Sequence, residues 1–399
     1  MKQTGSLLGV VAVAIALAAV GTQAENYAMY FRFLSTTDSV IEVGGDDGLV
    51  LWSSSAISVS GMFQRASSME PTNGWLDYVQ YAGEGGVVTQ RLADWAAPEG
   101  MAYVPGGIFQ MGDTFGEGES DELAVHTVFA SEFYMDRTEV TVGQWDEVHG
   151  WALTNGYTFD NAGSWSNGVD YSKGDGHPVI YVNWYDCVKW CNARSEKEGR
   201  TPAYYLDPGL SQVVRTGQVD LSNDWVRWDS GYRLPTEAEW EKAARGGVPA
   251  HRFPWGEDTI RHEQANYYCY QVGGVNVYEY DVATNAGWNP AYLDGGEPYT
   301  APAGSFDPNG YQLQDMAGNA CEWCWDWYEA GWYTNADASV ADARGPASGT
   351  RRVIRGASWN DYWDASCCRV SYRDRKYPVV WNDDIGFRTI LPPDRSVGP

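Results

Sequence analysis

The sequence has few basic residues and no long apolar segment after its N-terminus. Lysine and arginine together number 27 against 53 aspartate and glutamate residues, so the formal net charge at pH 7 is -26. A chain this acidic repels the phosphates of nucleic acids and anionic lipids. The composition therefore argues against nucleic-acid partners and membrane insertion. For the bulk of these carboxylates, solubility alone is the alternative explanation.

Cysteine and histidine are also scarce, with seven and five residues among 399. The cysteines are Cys187 with Cys191, Cys269 alone, Cys321 with Cys324, and Cys367 beside Cys368. An odd number leaves at least one thiol without an intramolecular disulfide. Neither a second Cys-x-x-Cys pair nor a His-x-x-x-His spacing accompanies Cys321 and Cys324, which argues against a zinc site.

Residues 1–24 have the pattern of a secretory signal peptide. Lys2 supplies a positive start, residues 7–20 are apolar, and small residues end the segment at Ala24. The apolar run is shorter than the roughly 20 residues that a membrane-spanning helix needs. We therefore predict a secreted, periplasmic or cell-surface protein whose mature chain begins near Glu25. An uncleaved anchor is the alternative.

The chain changes character near residue 97. Residues 25–97 alternate short apolar and polar runs that glycines interrupt, which predicts a small β-rich region. Residues 96–100 have the composition of a linker, and residues 98–391 form the main body, followed by a tail at 392–399. We identify no chemistry-bearing motif in residues 25–97.

Three helix starts are visible in the main body. Thr141 with Gln144 and Thr236 with Glu239 are capping boxes, and Asn183 is a third N-cap. The third helix has one apolar face formed by Trp184, Cys187, Val188 and Cys191. This spacing favours a core position for the two cysteines over a role as ligands or nucleophiles. Beyond Arg245 no long helical periodicity follows, which predicts a loop-rich body whose core is filled by many of the 20 tryptophans.

Nine ordered segments carry a family resemblance. They are residues 103–112, 139–141, 177–184, 232–241, 253–256, 308–311, 318–323, 352–359 and 386–388. Together they resemble the formylglycine-generating-enzyme family, whose domain is also called the sulfatase-modifying factor domain. The resemblance covers residues 98–391 and implies an α+β fold of the C-type-lectin-like kind with little regular secondary structure.

The resemblance also implies calcium. One family site falls on Asp315, the carbonyls of Gly318 and Ala320, and Glu322. A second falls on Asn266, the carbonyl of Tyr267, and Asp294, although the stretch from Asp294 to Thr300 is one residue longer than the usual pattern. Carboxylate and carbonyl oxygens are the ligands that calcium prefers. A hydrogen-bonded turn without metal is the alternative.

The copper pattern of the family is not matched. Its oxidases hold Cu(I) with two cysteines, the first three residues after the serine that here is Ser358 and the second five residues later. These positions read Asp361 and Ser366. Cys367 and Cys368 lie close by, but adjacent residues of an extended strand face opposite ways, and a one-residue gap would fill only the second position. The sequence therefore argues against copper.

We predict a non-catalytic binding module with a protein, peptide or glycan ligand. Its predicted surface consists of Trp359, Asn360, Asp361, Tyr362, Trp363, Tyr377 and Trp381. Aromatic and small polar groups of this kind are favoured in recognition surfaces, and the segment resembles the variable region of retroelement-diversified receptors. Inward packing of Trp359 and Trp381 is an alternative. The competing function is a divergent sulfatase-modifying oxidase that uses Cys367 or Cys368.

Overall fold

The structure is a computed structural model that describes residues 97–360 and 365–393, together with the backbone of six strands nearer the N-terminus. The chain divides into two compact units, Met1–Ala96 and Ala97–Pro399. The predicted signal peptide and residues 394–399 of the predicted tail lie outside the described residues. Among the residues described, none of the helices is long and apolar enough to cross a membrane.

The described part of the first unit consists of β-strands. They are Tyr27–Phe31 (β1), Leu34–Ser35 (β2), Val40–Ile41 (β3), Leu49–Ser53 (β4), Tyr78–Gly83 (β5) and Gly86–Arg91 (β6). One sheet has the order β4-β1-β5-β6 with antiparallel pairing throughout. The strands β2 and β3 form a separate antiparallel pair.

Among the described residues of the second unit, α-helices occur only in the first half. The α-helices are Val142–Thr154 (α1), Trp184–Lys197 (α2) and Glu237–Ala244 (α3). The strands are Met101–Val104 (β7), Gly107–Met111 (β8), His126–Ala130 (β9), Phe133–Asp136 (β10), Trp165–Ser166 (β11), Val169–Asp170 (β12), Gln271–Val272 (β13), Val275–Asn276 (β14), Cys321–Trp327 (β15), Arg352–Arg355 (β16), Asp374–Lys376 (β17), Ile385–Gly386 (β18) and Ile390–Leu391 (β19). After α3, the described residues form only strands, short 3-10 turns and loops, so the prediction of an α+β body with little regular structure is confirmed.

The three predicted N-caps are confirmed. At α1, the Thr141 hydroxyl accepts the Gln144 N–H at 3.3 Å, and Gln144 Oε1 accepts the Thr141 N–H at 2.9 Å. Thr236 and Glu239 make the same pair of bonds at α3, at 3.2 and 2.8 Å. Asn183 Oδ1 accepts a first-turn N–H of α2 at 2.9 Å. These bonds satisfy donors that a helix start leaves open, so each cap fixes where its helix begins.

Aromatic rings join the helix pair to the C-terminal part of the chain. The rings of Trp145 in α1 and Trp190 in α2 are stacked with centroids 6.2 Å apart. Phe387 packs edge-on against both, at 6.1 and 5.3 Å. Cys187 and Cys191 are fully buried in the same core, and burial raises the pKa of both thiols. Their core interpretation is therefore confirmed.

The central sheet has the order β17-β16-β15-β18 and is buried along β15 and β16. The strand β15 pairs antiparallel with β16 and parallel with β18, so both of its edges are covered. In this register Glu322 of β15 lies opposite Arg355 of β16. Charged side chains are thereby carried into the interior, where each needs a partner.

Carboxylates of α3 supply those partners. Arg355 donates to Glu237 at 3.2 Å and to Glu241 at 2.6 Å. Arg373 donates to both oxygens of Glu237, at 2.6 and 2.8 Å, and Arg245 donates to Glu241 at 2.7 Å. The exposed fraction of these five side chains is 0 to 6 %. The network connects α3 to strand β16 through Arg355 and to the residue before β17 through Arg373.

We predict that Arg355→Met lowers the free energy of unfolding by about 1.5–3 kcal/mol, because it removes charge-assisted hydrogen bonds from Glu237 and Glu241, which keep Arg373 and Arg245 as partners. Arg351→Met is the matched control: Arg351 lies on the ring of Tyr377 and has no ion pair among the described residues, so we expect a loss of under about 1 kcal/mol. Urea unfolding followed by circular dichroism measures both. Equal losses in the two variants would contradict a structural role for the network.

We also predict a pH effect at Asp326, which is 3 % exposed and accepts the Glu237 N–H at 2.8 Å. Burial, followed by the charge of Glu237, raises the pKa of Asp326 to about 8 from an ordinary value of 3.8. Between these two values the folded protein holds a proton that the unfolded chain has released. The contribution of Asp326 to stability is therefore largest at low pH and is lost as the pH rises towards 8.

Asp326→Asn is the variant that tests this effect, because an amide oxygen keeps the acceptor without the titration. Urea unfolding of both proteins at several pH values between about 5 and 8 should give a steeper fall with pH for the wild type. Parallel pH profiles would show that Asp326 is ionised in the folded state.

Candidate functional site

Buried carboxylates gather between the segment preceding α1 and the turn preceding β15. Glu139 and Glu322 are 0 % exposed, and Asp315 is 5 % exposed. Arg388 donates to both oxygens of Glu322 at 2.7 to 2.9 Å, and Trp240 Nε1 donates to the same carboxylate at 2.8 Å. Glu322 is therefore held by its own donors, while Glu139 and Asp315 are not paired in this way.

Asn319 connects this cluster to its surroundings. Its side-chain amide donates to Glu139 Oε1 at 3.0 Å, and its Oδ1 accepts the Ala301 N–H at 2.8 Å. Its backbone N–H donates to the Asn266 carbonyl at 2.8 Å. A Cβ on the preceding Gly318, whose φ is +78°, would lie 2.3 Å from that carbonyl oxygen, so the close approach of these two segments requires glycine.

Two oxygens of the cluster lack a hydrogen-bond donor. They are Asp315 Oδ1 and Glu139 Oε2, both removed from solvent. They lack a donor only when the two carboxyls are ionised, because a proton shared between Asp315 and Glu139 would satisfy both. Burial raises the pKa of Asp315 to about 6, and burial together with the charge of Asp315 raises the pKa of Glu139 well above its ordinary value. Oxygens in this condition require a proton or a cation.

The first calcium set expected from the resemblance fits these observations in part, because Glu322 already accepts bonds from Arg388 and Trp240. Asp315 offers a buried oxygen without a donor, beside a glycine turn whose carbonyls are the other expected ligands. Glu139, which the sequence did not predict as part of the set, adds another such oxygen. Within residues 97–360 and 365–393, no group of three or more His, Cys, Asp or Glu side chains is arranged to hold a metal, so a cation here would depend on the backbone carbonyls.

The residues of the second expected calcium set do not share one environment. Asn266 and Tyr267 are buried, whereas Asp294 is exposed, and its carbonyl accepts Lys173 Nζ at 2.6 Å. The amide of Asn266 donates to the Tyr299 carbonyl at 2.9 Å, and the described contacts include no bond between Asn266 and Asp294. The residues of this set do not fit a calcium site.

The candidate catalytic thiols lie in the core. Cys367 and Cys368 are each 1 % exposed, in the 3-10 turn Ala365–Cys368, so the expectation of an extended strand at this point is wrong. They pack in an apolar cluster with Phe253, Tyr267 and Cys269. All seven cysteines of the chain are described, and all are buried thiols. These residues do not fit the copper centre of the family, because its two ligand positions are Asp361 and Ser366 and the nearby thiols are buried in an apolar cluster.

Trp359, one of the residues of the predicted ligand-binding surface, is buried beneath that surface. It is 0 % exposed, its Nε1 donates to the Asp383 carbonyl at 3.0 Å, and its ring meets Tyr299 edge-on at 5.4 Å. The expectation that Trp359 contacts a ligand is corrected accordingly. Asn360 is partly exposed. Asp361, Tyr362 and Trp363 lie outside the described residues.

The predicted surface residues Tyr377 and Trp381 are exposed. Trp381 belongs to an aromatic row with Tyr181, 5.6 Å away, and Tyr171, 4.9 Å from Tyr181. Tyr181 has a φ of +56°, which is rare for a non-glycine residue, and its N–H donates to the Asn382 carbonyl at 2.8 Å. That bond holds the row against the segment containing Trp381.

A carboxylate accompanies the aromatic row. Burial, followed by the charge of Asp383, raises the pKa of Tyr181 to about 12. Burial and the charge of Glu297 raise the pKa of Asp383 in turn. The row therefore combines flat apolar rings with a half-buried acceptor. This arrangement suits a ligand that has both an apolar face and hydrogen-bond donors.

Sequence reasoning missed four residues of these two sites: Glu139, Asn319, Tyr171 and Tyr181. Glu139 and Asn319 stand within the segments that carry the resemblance, and that position was the available signal. Tyr181 also lies within such a segment, 177–184, whereas Tyr171 lies in none. The place of both in the row depends on the contact of Tyr181 with Trp381, 200 residues later in the chain.

Comparisons with known proteins agree on one family. The sequence model of the sulfatase-modifying factor enzyme 1-like domain matches residues 89–392. The formylglycine-generating enzyme of Thermomonospora curvata is 34% identical over 314 residues, which cover 75% of this chain and 90% of that enzyme. The chaperone protein LppX of Paenibacillus barcinonensis is 30% identical over 262 residues, 64% of this chain and 81% of the chaperone.

A solved structure shows the same fold. Treponema denticola variable protein 1 superposes with a TM-score of 0.53 and 28% sequence identity. The match covers 79% of this chain and 98% of that protein. The similarity therefore extends over nearly the whole of the variable protein.

Proposed function

We propose a ligand-binding function, without catalysis, for this chain, which belongs to the family of sulfatase-modifying factor enzyme 1-like domains. The chain is exported through residues 1–24 and binds a protein, peptide or glycan at the surface that contains the aromatic row. The enclosure of Cys367 and Cys368 in an apolar cluster is the observation that carries the proposal. A thiol buried in this way is inaccessible to a substrate.

Family membership by itself leaves the function open. At similar identity, the chain resembles a formylglycine-generating enzyme and a protein named as a chaperone. The residues of the site are therefore what distinguishes the candidates. The two copper positions of the family are Asp361 and Ser366 in this chain.

The aromatic row supports binding on chemical grounds. Tyrosine and tryptophan give a large contact area at little cost in side-chain entropy, because each has only two rotatable bonds. Trp381 is 37 % exposed, and Asp383 and Asn382 place polar groups beside it. The Trp359 indole and the Tyr181 N–H donate hydrogen bonds to backbone carbonyls of this segment and thereby fix its position.

We predict that the double variant Tyr171→Ala, Trp381→Ala loses at least about 2 kcal/mol of binding free energy towards any ligand found on glycan and peptide arrays, which is the size expected for central aromatic contacts. Tyr270→Ala is the control, because Tyr270 is 43 % exposed and lies outside the row. Circular dichroism checks that each variant is folded. Unchanged binding by a folded double variant would show that the ligand uses another surface.

The oxidase is the second candidate, and the 34% identity to a formylglycine-generating enzyme favours it. We expect no conversion of a Cys-x-Pro-x-Arg peptide to formylglycine in the presence of Cu(I) and oxygen, as measured by mass spectrometry. The Thermomonospora curvata enzyme is the positive control. Conversion by this chain that disappears in Cys367→Ser or Cys368→Ser would establish the oxidase and refute the proposed function.

We propose calcium at the first set of ligands, supported by the Asp315 and Glu139 oxygens that lack donors. Millimolar calcium should raise the melting temperature, since a ligand at 100 times its Kd stabilises the native state by about 2.7 kcal/mol. Asp315→Asn should remove most of this shift, and Asp294→Asn should leave it intact. Magnesium at the same concentration is the ionic control. A wild-type protein that gives no calcium-specific shift would contradict this assignment.

A further inference from the structure

A polar pocket of about 930 Å³ lies apart from the two sites described above. It is enclosed by the end of α2, the loop that leads to α3, the first turn of α3 and the residues that follow β19. Neither the aromatic row nor the carboxylate cluster contributes to its lining. Its lining includes four arginines, namely Arg200, Arg227, Arg233 and Arg344.

Two of these arginines are positioned by rings and have no carboxylate partner. The guanidinium carbon of Arg344 lies 4.2 Å from the ring centre of Trp228, and that of Arg227 lies 5.8 Å from the ring centre of Tyr205. A cation–π contact does not use the N–H donors of a guanidinium, which stay available for a ligand. Within the described residues neither side chain forms an ion pair, and Arg227 Nε is buried without an acceptor.

Five carboxylates also line the pocket, namely Glu132, Glu198, Asp229, Glu239 and Asp342, and three of them accept bonds from other donors. Glu198 accepts Arg194 Nε at 3.3 Å and the Tyr232 hydroxyl at 2.6 Å. Glu239 accepts two bonds from Arg233 at 2.7 and 2.8 Å. Asp342 accepts the N–H and the hydroxyl of Ser131, at 2.6 and 2.9 Å. Asp229 is exposed at the rim. Burial and the neighbouring charge of Arg233 lower the pKa of Arg344 and outweigh the opposite effect of Asp342 and Glu239.

We propose that this pocket binds an oxyanion, the carboxylate, phosphate or sulfate group of a small molecule, through Arg227 and Arg344. A guanidinium presents its donors as a planar fork that matches two oxygens of such a group. The pocket is larger than an inorganic anion requires and lies within the size range of small-molecule sites. The anionic group is therefore one end of a larger ligand whose remainder meets the hydroxyl and carboxylate groups of the lining.

The test uses the whole protein and three probes, namely phosphate, sulfate and citrate, each titrated by calorimetry. Sodium chloride keeps the ionic strength constant, because a protein with a net charge of -26 responds to salt itself. We expect the wild type to bind at least one probe, and the order of the three affinities identifies the class of anionic group. Arg344→Gln and Arg227→Gln should each weaken binding about tenfold or more, since a hydrogen bond to a charged group contributes about 1.5–3 kcal/mol.

Arg351→Gln is the matched control, because Arg351 also lies on a ring, 4.8 Å from the centre of Tyr377, and lines no part of this pocket. It should bind the probes like the wild type. Absence of anion-specific heat in the wild type overturns the proposal, even where the arginine variants fail to fold. Equal losses in Arg351→Gln and the two pocket variants also overturn it, because they would indicate a general effect of charge.

Discussion

The burial of glutamate–arginine pairs is the constraint on which the second unit depends. The pairs are Glu122 with Arg369, Glu237 with Arg373, Glu241 with Arg355, Glu239 with Arg233, and Glu322 with Arg388. Most of them join parts of the chain that are distant in sequence. Loops with few ladder hydrogen bonds can shift against one another unless something specific fixes them. A buried charge does so, because each arrangement that separates it from its partner is costly.

One of those pairs also lies in the candidate calcium site. Glu322, which the resemblance assigns to calcium, is held by Arg388 and Trp240. The neighbouring Asp315 and Glu139 keep oxygens without donors. Buried charges that have partners therefore lie beside a small region in which two carboxylate oxygens have no hydrogen-bond donor. That contrast separates the residues that support the fold from those that can bind a ligand.

The parts of the fold that could be predicted from sequence depend on local interactions. Thr141 and Thr236 each cap a helix through hydrogen bonds to a residue only three positions later. The apolar face of α2 follows from helical spacing alone. The fold class could be predicted because the family segments occur in order. The expected strand at Cys367 and Cys368 was wrong because a 3-10 turn there has no distinctive periodicity.

The surface was harder to predict, since exposure depends on contacts far along the chain. Trp359 and Trp381 are the same residue type in one predicted surface, yet the first is buried beneath Asp383 and the second is exposed. Tyr181 joins the row through a bond to Asn382, which nothing near Tyr181 in the sequence indicates. Asp294 matches the second calcium set by order, but it lies at the surface, where its carbonyl contacts Lys173.

The buried position of Trp359 has a consequence for protein engineering. Its indole ties the end of the family segment 352–359 to the segment that contains Trp381, so the scaffold and the exposed residues are separate sets of side chains. Exposed positions such as Tyr377 and Trp381 can then be randomised in a library with little loss of folded protein, as in the loops of an antibody domain. Trp359 itself should be kept fixed in any such library.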